Sequence, residues 1–343
     1  MAKKVSISDI AECLGVSKTL VSLVINGKAE QYGINAQTKK RVLDKVEELN
    51  YRPNLLAQGF RTGKTNTIGV IVSDIANRFY SRIARKIEDL AWKNGYSVVI
   101  CSTDENVDKE LQQIKLLQER KVDGLIISSS QLDAEFFNTL NDAHFPHVLI
   151  DRRFENMTSS SVVIDNQSGA QMAVNHLISQ GYRKIGMISI TPQHISSIRE
   201  RVHGFYQAME LAELEVNPLW NIDVPFDNME NEIRNSLQQL HSQHNLPEAF
   251  FTLNNNLTST CLMQLRELSV KIPSDVALIG FDDVLYFDFT NPSITAIEQP
   301  VDLISEQAFN LLLKQIKKNE VTKEERSICL PISINIREST IKR

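Results

Sequence analysis

The chain has 343 residues, 42% apolar and 23% charged, which is the composition of ordinary globular domains and too long for one small module. No stretch approaches the roughly 18 consecutive apolar residues of a membrane span, and the opening MAKKVSISDIAE lacks an apolar signal core, so a cytoplasmic protein without a membrane partner is expected. The net charge of −5 is unevenly spread: residues 1–64 hold 11 Lys and Arg against 6 Asp and Glu, and the remainder 26 against 36. A basic block on an acidic body points to nucleic acid as a partner of the first part, with a solvated charged face as the plainer alternative.

In chain order, SISDIAECLGVSKTLVSLVIN (6–26) reads as two short helices broken at Gly15 and Val16. Ser6 and Asp9 have the spacing of a capping box, and Ile10, Ala11 and Leu14 share one face. Gly15 tolerates a positive φ. Ser17 then caps a second helix, Lys18 to Ile25, with Val21 and Val24 inward and Lys18, Thr19 and Ser22 outward. The pattern is that of a helix-turn-helix, whose second helix reads base edges in the major groove; an ordinary helical hairpin has the same local grammar. Asn35 caps a third helix, AQTKKRVLDKVEELN, with Val42, Val46 and Leu49 inward and Lys39, Lys40 and Arg41 near its start, completing a unit too small for an enzyme. Pro53 stops that helix, Asn54 can cap one further short helix, Leu55 to Phe60, and RTGKTN follows as a polar linker.

From Ile68 onward short β-rich runs alternate with amphipathic helices. The predicted strands are TIGVIVS, YSVVICST, GLIISS, HVLID, SSVVID, KIGMIS, AFFTL and VALIGF; Phe79, Ile83, Ile87 and Leu90 mark a helix between the first two. Continuous apolar strands separated by helices indicate parallel sheets, and two successive series of such units suggest two doubly wound lobes with a cleft between them. Ligands in such sheets bind beyond the carboxyl ends of the strands. That rule selects Ser73 and Asp74, Asp151 and Arg152, Asp165 and Asn166, Asn254 and Asn255, and Asp282 and Asp283. Taken singly each is as easily a helix cap; as a set they suit a polar, polyhydroxylated ligand.

Other chemistry lacks its signature. No GxGxxG, GxxxxGK[ST] or GxSxG occurs. The pairs His144/His147 and His241/His244 have neither a nearby Cys nor a third ligand and are expected at loop or helix edges, so no metal and no cofactor is predicted. Cys13, Cys101, Cys261 and Cys329 are far apart and are expected as reduced, buried, small hydrophobes. No carboxylate pair has a partner nucleophile or base, and no enzyme is expected.

The run from Ile7 through GVS, LVSLVIN, NYRPN and TIGVIV, continued by NQSGAQMAVNHLISQGYRKIGMIS, RVHGFYQAM, PSDVALIGFDD and PSITAIEQP, resembles the lactose-repressor (LacI/GalR) family of bacterial transcription regulators over essentially the whole chain. The resemblance implies an α/β protein with an N-terminal three-helix helix-turn-helix headpiece at 1–53, a hinge helix and linker at 54–66, and a two-lobed doubly wound parallel-sheet core at 67–343. That core is similar to periplasmic sugar-binding proteins, with lobes joined by three crossovers. It implies a homodimer on double-stranded palindromic operator DNA, its affinity set by a small effector between the lobes.

In that scheme Lys18 and Thr19 read bases, while Ser6, Ser17, Ser22, Asn26 and Lys39 contact phosphates. Asn54, Leu56, Ala57 and Phe60 belong to the hinge, where Phe60 stands in place of the family's usual leucine wedge in the minor groove. Leu20 and Leu23 depart from a threonine and an arginine often found there, which shifts weight to thymine-methyl contacts.

The implied effector residues are Phe79 and Tyr80, Asp151 and Arg152, Arg201 and Phe226, joined by Asp74, Asp165, Asn255 and Asp282 from the strand ends. The family's usual asparagine-aspartate pair is here Asn254-Asn255. With that carboxylate gone, Arg152, Arg153 and Arg201 leave room for a sugar acid or sugar phosphate beside a neutral sugar. The rival classes are a transport-type sugar-binding protein and a sugar-processing enzyme with a DNA-binding arm.

Overall fold

The computed structural model describes residues 5–51 and 64–342, which fall into two compact units parted between Thr65 and Asn66. The first unit holds α1 (Ile7–Leu14), α2 (Lys18–Ile25) and α3 (Ala36–Glu48). Their ends follow from local hydrogen bonds. Asp9 N–H donates to Ser6 Oγ (3.3 Å) and Ser6 N–H donates to Asp9 Oδ2 (2.7 Å), closing the capping box. Gly15 takes φ 64° at the end of α1. Leu20 N–H donates to Ser17 Oγ (3.1 Å), and Thr38 N–H to Asn35 Oδ1 (2.7 Å), starting α2 and α3. The apolar stripes of the three helices meet in a core of Ile10, Ala11, Val21, Val24 and Val42, joined by Ala29 from the turn after α2.

The second unit is two lobes, each a six-stranded sheet. Lobe one contains β1 (Thr67–Val72), β2 (Ser97–Ser102), β3 (Gly124–Ile127), β4 (His147–Ile150) and β5 (Ser160–Ile164), with α4 (Arg78–Lys93), α5 (Val107–Glu119) and α6 (Glu135–Asp142). Lobe two contains α7 (Asn166–Ser179), β6 (Ile185–Thr191), α8 (Ser196–Leu211), β7 (Asn221–Pro225), α9 (Met229–Ser242), β8 (Ala249–Thr252), α10 (Asn255–Glu267), β9 (Ala277–Phe281) and β10 (Thr295–Glu298). The chain then returns to lobe one with α11 (Val301–Ile316), α12 (Lys323–Arg326) and β11 (Ser327–Leu330), and ends in lobe two with β12 (Ser333–Asn335). The strand orders are β11-β5-β4-β3-β1-β2, all parallel, and β12-β10-β9-β8-β6-β7, parallel except for β10 against β12. The chain therefore passes between the lobes three times: after Asp165, near Gln299 and Pro300, and between Leu330 and Ser333.

The central strands are buried on both faces, so their sequences read as unbroken apolar runs. Strands β7, β10, β11 and β12 were not foreseen. β7, NIDVP, alternates polar and apolar at a sheet edge, and β11 and β12 find partners at least 35 residues away in sequence. α11 anchors the return: Gln315 accepts from His147 N–H (2.9 Å) and donates to His147 O (3.0 Å), pairing with β4 as a strand edge would.

Two expectations need correction. Of the four cysteines only Cys261 is buried; Cys101 is half-buried, and Cys13 on the outer face of α1 and Cys329 on edge strand β11 are exposed. His147 stands where the loop meets β4 but is 1% exposed rather than a surface residue, bonded to Phe145 O and Ser159 Oγ, both at 2.8 Å. No group of three or more His, Cys, Asp or Glu among the described residues could hold a metal. No described helix is long and apolar enough to cross a membrane.

Candidate functional site

In the first unit the start of α2 is the exposed feature. Ser17, Lys18 and Thr19 are exposed, Ser22 is half-buried one turn on, and Val21 and Val24 on the opposite face anchor the helix in the core. Asn26 at the end of α2 donates to Ser22 O (2.7 Å) and Ser22 Oγ (3.2 Å), which ties two of the predicted phosphate contacts together. Ser6 is exposed but already donates from its hydroxyl to Asp9 (2.7 Å), and Lys39 pairs with Glu30 (3.0 Å). A phosphate at either position competes with an existing partner. Asn54, Leu56, Ala57 and Phe60, with the hinge helix, lie outside the described residues.

In the second unit, the carboxyl ends of the strands of both lobes face one cleft. Two aspartates define it, one per lobe. Asp151 follows β4 with φ 65° and Asp282 follows β9 with φ 69°, both left-handed, both buried. Such backbone conformations carry strain of order 1 kcal/mol or more and concentrate where side chains must be aimed. Asp151 Oδ2 accepts from the Tyr80 hydroxyl (2.8 Å), which in turn accepts from Ser128 Oγ (3.2 Å). Burial pushes the Tyr80 hydroxyl far up, so it stays a neutral donor. Asp282 Oδ1 accepts from Gln299 Nε2 (2.5 Å). Burial raises its pKa, and Arg201, 3.7 Å away, works against that rise.

Arg201, on α8, is 3% exposed. Its Nε donates to Asn166 Oδ1 (2.9 Å) and its Nη1 to Leu253 O (2.7 Å), while the guanidinium lies 3.7 Å from the Phe281 ring centroid. Arg152 is held differently. Nη1 and Nη2 donate to the two carboxylate oxygens of Glu105 at 2.7 and 2.5 Å, a bidentate pair, and Nη1 also reaches Ser129 O (2.9 Å). Burial pushes Glu105 up, but the adjacent guanidinium outweighs it and leaves Glu105 below the usual carboxylate range.

The lobes meet across the cleft through polar contacts. Asn255 Nδ2 donates to Asn77 Oδ1 (3.0 Å), Arg153 N–H donates to Ser196 Oγ (2.9 Å), the Arg153 guanidinium pairs with Glu200 (3.0 Å), and His194 Nε2 lies 3.2 Å from Ser130 O. The cavity between the lobes measures about 50 Å³. That is well below the several hundred Å³ of a typical ligand site.

Of the residues predicted from sequence, Asp74, Phe79, Tyr80, Asp151, Arg152, Arg201, Phe226 and Asp282 line this cavity. Asp165 does not. Its carboxylate caps α7, accepting from Ser168 N–H (3.0 Å) and Ser168 Oγ (2.7 Å), because the chain leaves lobe one at that point. Asn255 is buried behind the lining, where it joins the lobes, and its neighbours Asn254 and Asn256 face the cavity. The surplus of positive charge inferred for Arg152, Arg153 and Arg201 is also corrected. Arg153 pairs with Glu200 outside the lining, and the cavity sets Asp74, Glu105, Asp151 and Asp282 against only Arg152 and Arg201. Sequence reasoning missed Glu105, Asn77 and Gln299; the strand-end rule, carried to β2, points at Glu105, three residues beyond its end.

Known proteins place this arrangement. Residues 6–54 match the family described as bacterial regulatory proteins, lacI family, and residues 174–340 match the periplasmic binding protein-like domain. The HTH-type transcriptional regulator RegA of Clostridium saccharobutylicum is 31% identical over 340 residues, covering 98% of this chain and 99% of the relative. A lac repressor dimer bound to operator and the anti-inducer ONPF superposes with a TM-score of 0.84 at 24% identity, over 99% of this chain and 100% of that one, and so shares its fold. A periplasmic binding protein/LacI transcriptional regulator from Alkaliphilus metalliredigens QYMF, complexed with D-xylulofuranose, superposes with a TM-score of 0.70 at 29% identity over 81% of this chain and 100% of that one. With a helix-turn-helix unit, two crossover-linked lobes around a polar cleft and a full-length regulator at this identity, the chain belongs to the LacI family of bacterial regulatory proteins.

Proposed function

We propose that the protein is a transcription regulator in which residues 1–53 form the operator-reading headpiece, 54–66 the hinge and 67–343 the effector-binding and dimerisation core. The headpiece reads base edges with Lys18 and Thr19 and is positioned on phosphates by Ser6, Ser17, Ser22, Asn26 and Lys39. A two-fold dimer then requires a palindromic site. It works in the cytoplasm.

The observation that carries the effector assignment is the pair of buried, left-handed aspartates, one per lobe, facing each other beside Arg201. Carboxylates and a guanidinium converging from two sides suit the vicinal hydroxyls of a sugar, with Phe79 and Phe226 against its apolar face. Arg152 Nε, in the cavity lining, is buried without a hydrogen bond and 3.3 Å from Asp151 Oδ2, a donor that a ligand hydroxyl matches. The excess of carboxylates in the lining favours a neutral sugar over an acidic one, and the D-xylulofuranose complex of the Alkaliphilus regulator supports a ligand of that class.

A ligand that touches both lobes favours the closed arrangement by its differential affinity. The three crossovers are the only covalent links between the lobes, so closure rotates one lobe on the other and shifts operator affinity. Fluorescence anisotropy with palindromic fragments, titrated with salt and then with a panel of neutral pentoses and hexoses, tests the whole scheme. Salt-sensitive binding that no sugar alters leaves the DNA reading standing and removes the effector reading.

A further inference from the structure

Glu105 is not placed by regular structure. It lies in the turn between β2 and α5 where two consecutive residues, Asp104 and Glu105, adopt φ of 55° and 56°. Neither is glycine, so the turn carries backbone strain, and it is held by specific bonds: Asp104 N–H donates to Ser73 O (2.6 Å), Ser102 Oγ and Lys109 Nζ donate to the Asp104 carboxylate (3.0 and 2.5 Å), and Asn106 N–H donates to Thr103 O (3.0 Å). The result is a carboxylate 13% exposed, driven into the cleft against an arginine 6% exposed. A guanidinium has five N–H donors. The two terminal nitrogens of Arg152 spend theirs on Glu105, Ser129 O, Ser130 Oγ (3.2 Å), Tyr80 Oη (3.3 Å) and Ser73 Oγ (3.4 Å). Only Nε is left without a hydrogen bond, and it lies 3.3 Å from Asp151 Oδ2.

We propose that Glu105 is a specificity determinant: a built-in counter-ion that occupies the anion-binding edge of Arg152 and so excludes carboxylate- and phosphate-bearing ligands from the cleft. The geometry is that of a guanidinium clamping a bound carboxylate, with the carboxylate supplied by the protein itself. Shortening Glu105 to alanine removes the carboxylate and one methylene, opens a space beside Arg152, and leaves its two terminal nitrogens without their carboxylate while Asp151 stays at Nε. A small anion then takes that place. The proposal rests on reading the cleft as the effector site, and its test uses neither operator nor effector.

The probe is acetate, titrated against chloride at constant ionic strength while the thermal midpoint of the full chain is followed. Wild type is expected to show no difference between the two salts. Glu105→Ala is expected to gain about 2 °C or more in 50 mM acetate, as ligand binding to the folded state requires. The double variant Glu105→Ala/Arg152→Met is expected to lose that gain. Should Glu105→Ala not accumulate as folded protein, Glu105→Ser, which opens the same space, takes its place in the same titration. An acetate effect equal in wild type, absent from the single variants, or retained in the double variant overturns the assignment. Failure of the cleft as an effector site would show separately, as operator binding that no sugar alters while the acetate result stands.

Discussion

Gly204 on α8 lies against the first turn of α7, and replacing it with alanine tests whether their close packing sets the geometry of Arg201. A Cβ at Gly204 would sit 2.4 Å from Gln167 O and 2.9 Å from Ala170 Cβ. The nearer neighbour is backbone and cannot rotate away, so relief requires the two helices to part by roughly 1 Å. Overpacking of this kind costs about 1–3 kcal/mol. The rise in helix propensity from glycine to alanine returns about 1 kcal/mol, leaving a net loss of roughly 1–2 kcal/mol in urea unfolding of the core. The functional consequence is sharper. Arg201 is one turn before Gly204, and its 2.9 Å bond goes to Asn166, the residue preceding Gln167, so the same displacement stretches the bond that aims the guanidinium. A charge-assisted bond of this type is worth about 1.5–3 kcal/mol, and the effector midpoint for altering operator binding is expected to rise about tenfold or more. A Gly204→Ala protein with unfolding free energy within 0.5 kcal/mol of wild type and an unchanged effector midpoint would refute the argument that this contact positions Arg201.

Other expectations concern different parts of the molecule. Lys18→Ala should cost about 1–3 kcal/mol of discrimination at one base pair of each half-site; unchanged preference across single-substitution operators in anisotropy removes Lys18 as a base reader. Glu200→Gln breaks the ion pair between the lobes, where Arg153 is half-exposed, so at most about 1 kcal/mol, or roughly fivefold in effector affinity, is at stake. Calorimetry showing a larger loss, or a lowered melting point, would mean that Glu200 does more than latch the lobes. Burial lowers the pKa of His147, so the unfolded chain takes up the proton first. Its contribution to stability is therefore complete above the unfolded value of about 6.5 and is lost as pH falls below it. Urea unfolding at pH 7.5 and 5.5 should show a smaller acid loss for His147→Asn than for wild type, and equal losses would count against this burial effect.

Much of the fold is legible in the chain because it is made by neighbours. The caps at Ser6, Ser17 and Asn35 each act three residues away, so spacing alone reveals where the headpiece helices start. The central strands are legible because burial on both faces leaves them no polar positions. The edge strands β7, β11 and β12 are not, because a short edge strand becomes one only when a distant partner supplies its hydrogen bonds, and neither is the four-residue β10, which pairs with β12 on one side. The cysteines show the same division: composition names the residue type, and packing decides that Cys261 is enclosed while Cys329 faces outward.

The candidate site divides along that line. The chain by itself determined that polar residues follow apolar strands, and hence that a cleft at the strand ends holds the chemistry. It could not determine which of them face it. Asp151 and Asp165 look alike in sequence, one after β4 and one after β5. Asp165 is spent on the N-terminus of α7 because the chain crosses to the other lobe there, whereas Asp151 turns into the cleft through a left-handed backbone. The charge of the site was likewise set by tertiary structure. Glu105 and Arg152 are 47 residues apart, and only the parallel packing of β2, β1, β3 and β4 brings their loops to the same edge, turning an apparent surplus of arginine into a neutralised pair. Electrostatics depends on distance in space, and sequence separation does not report it.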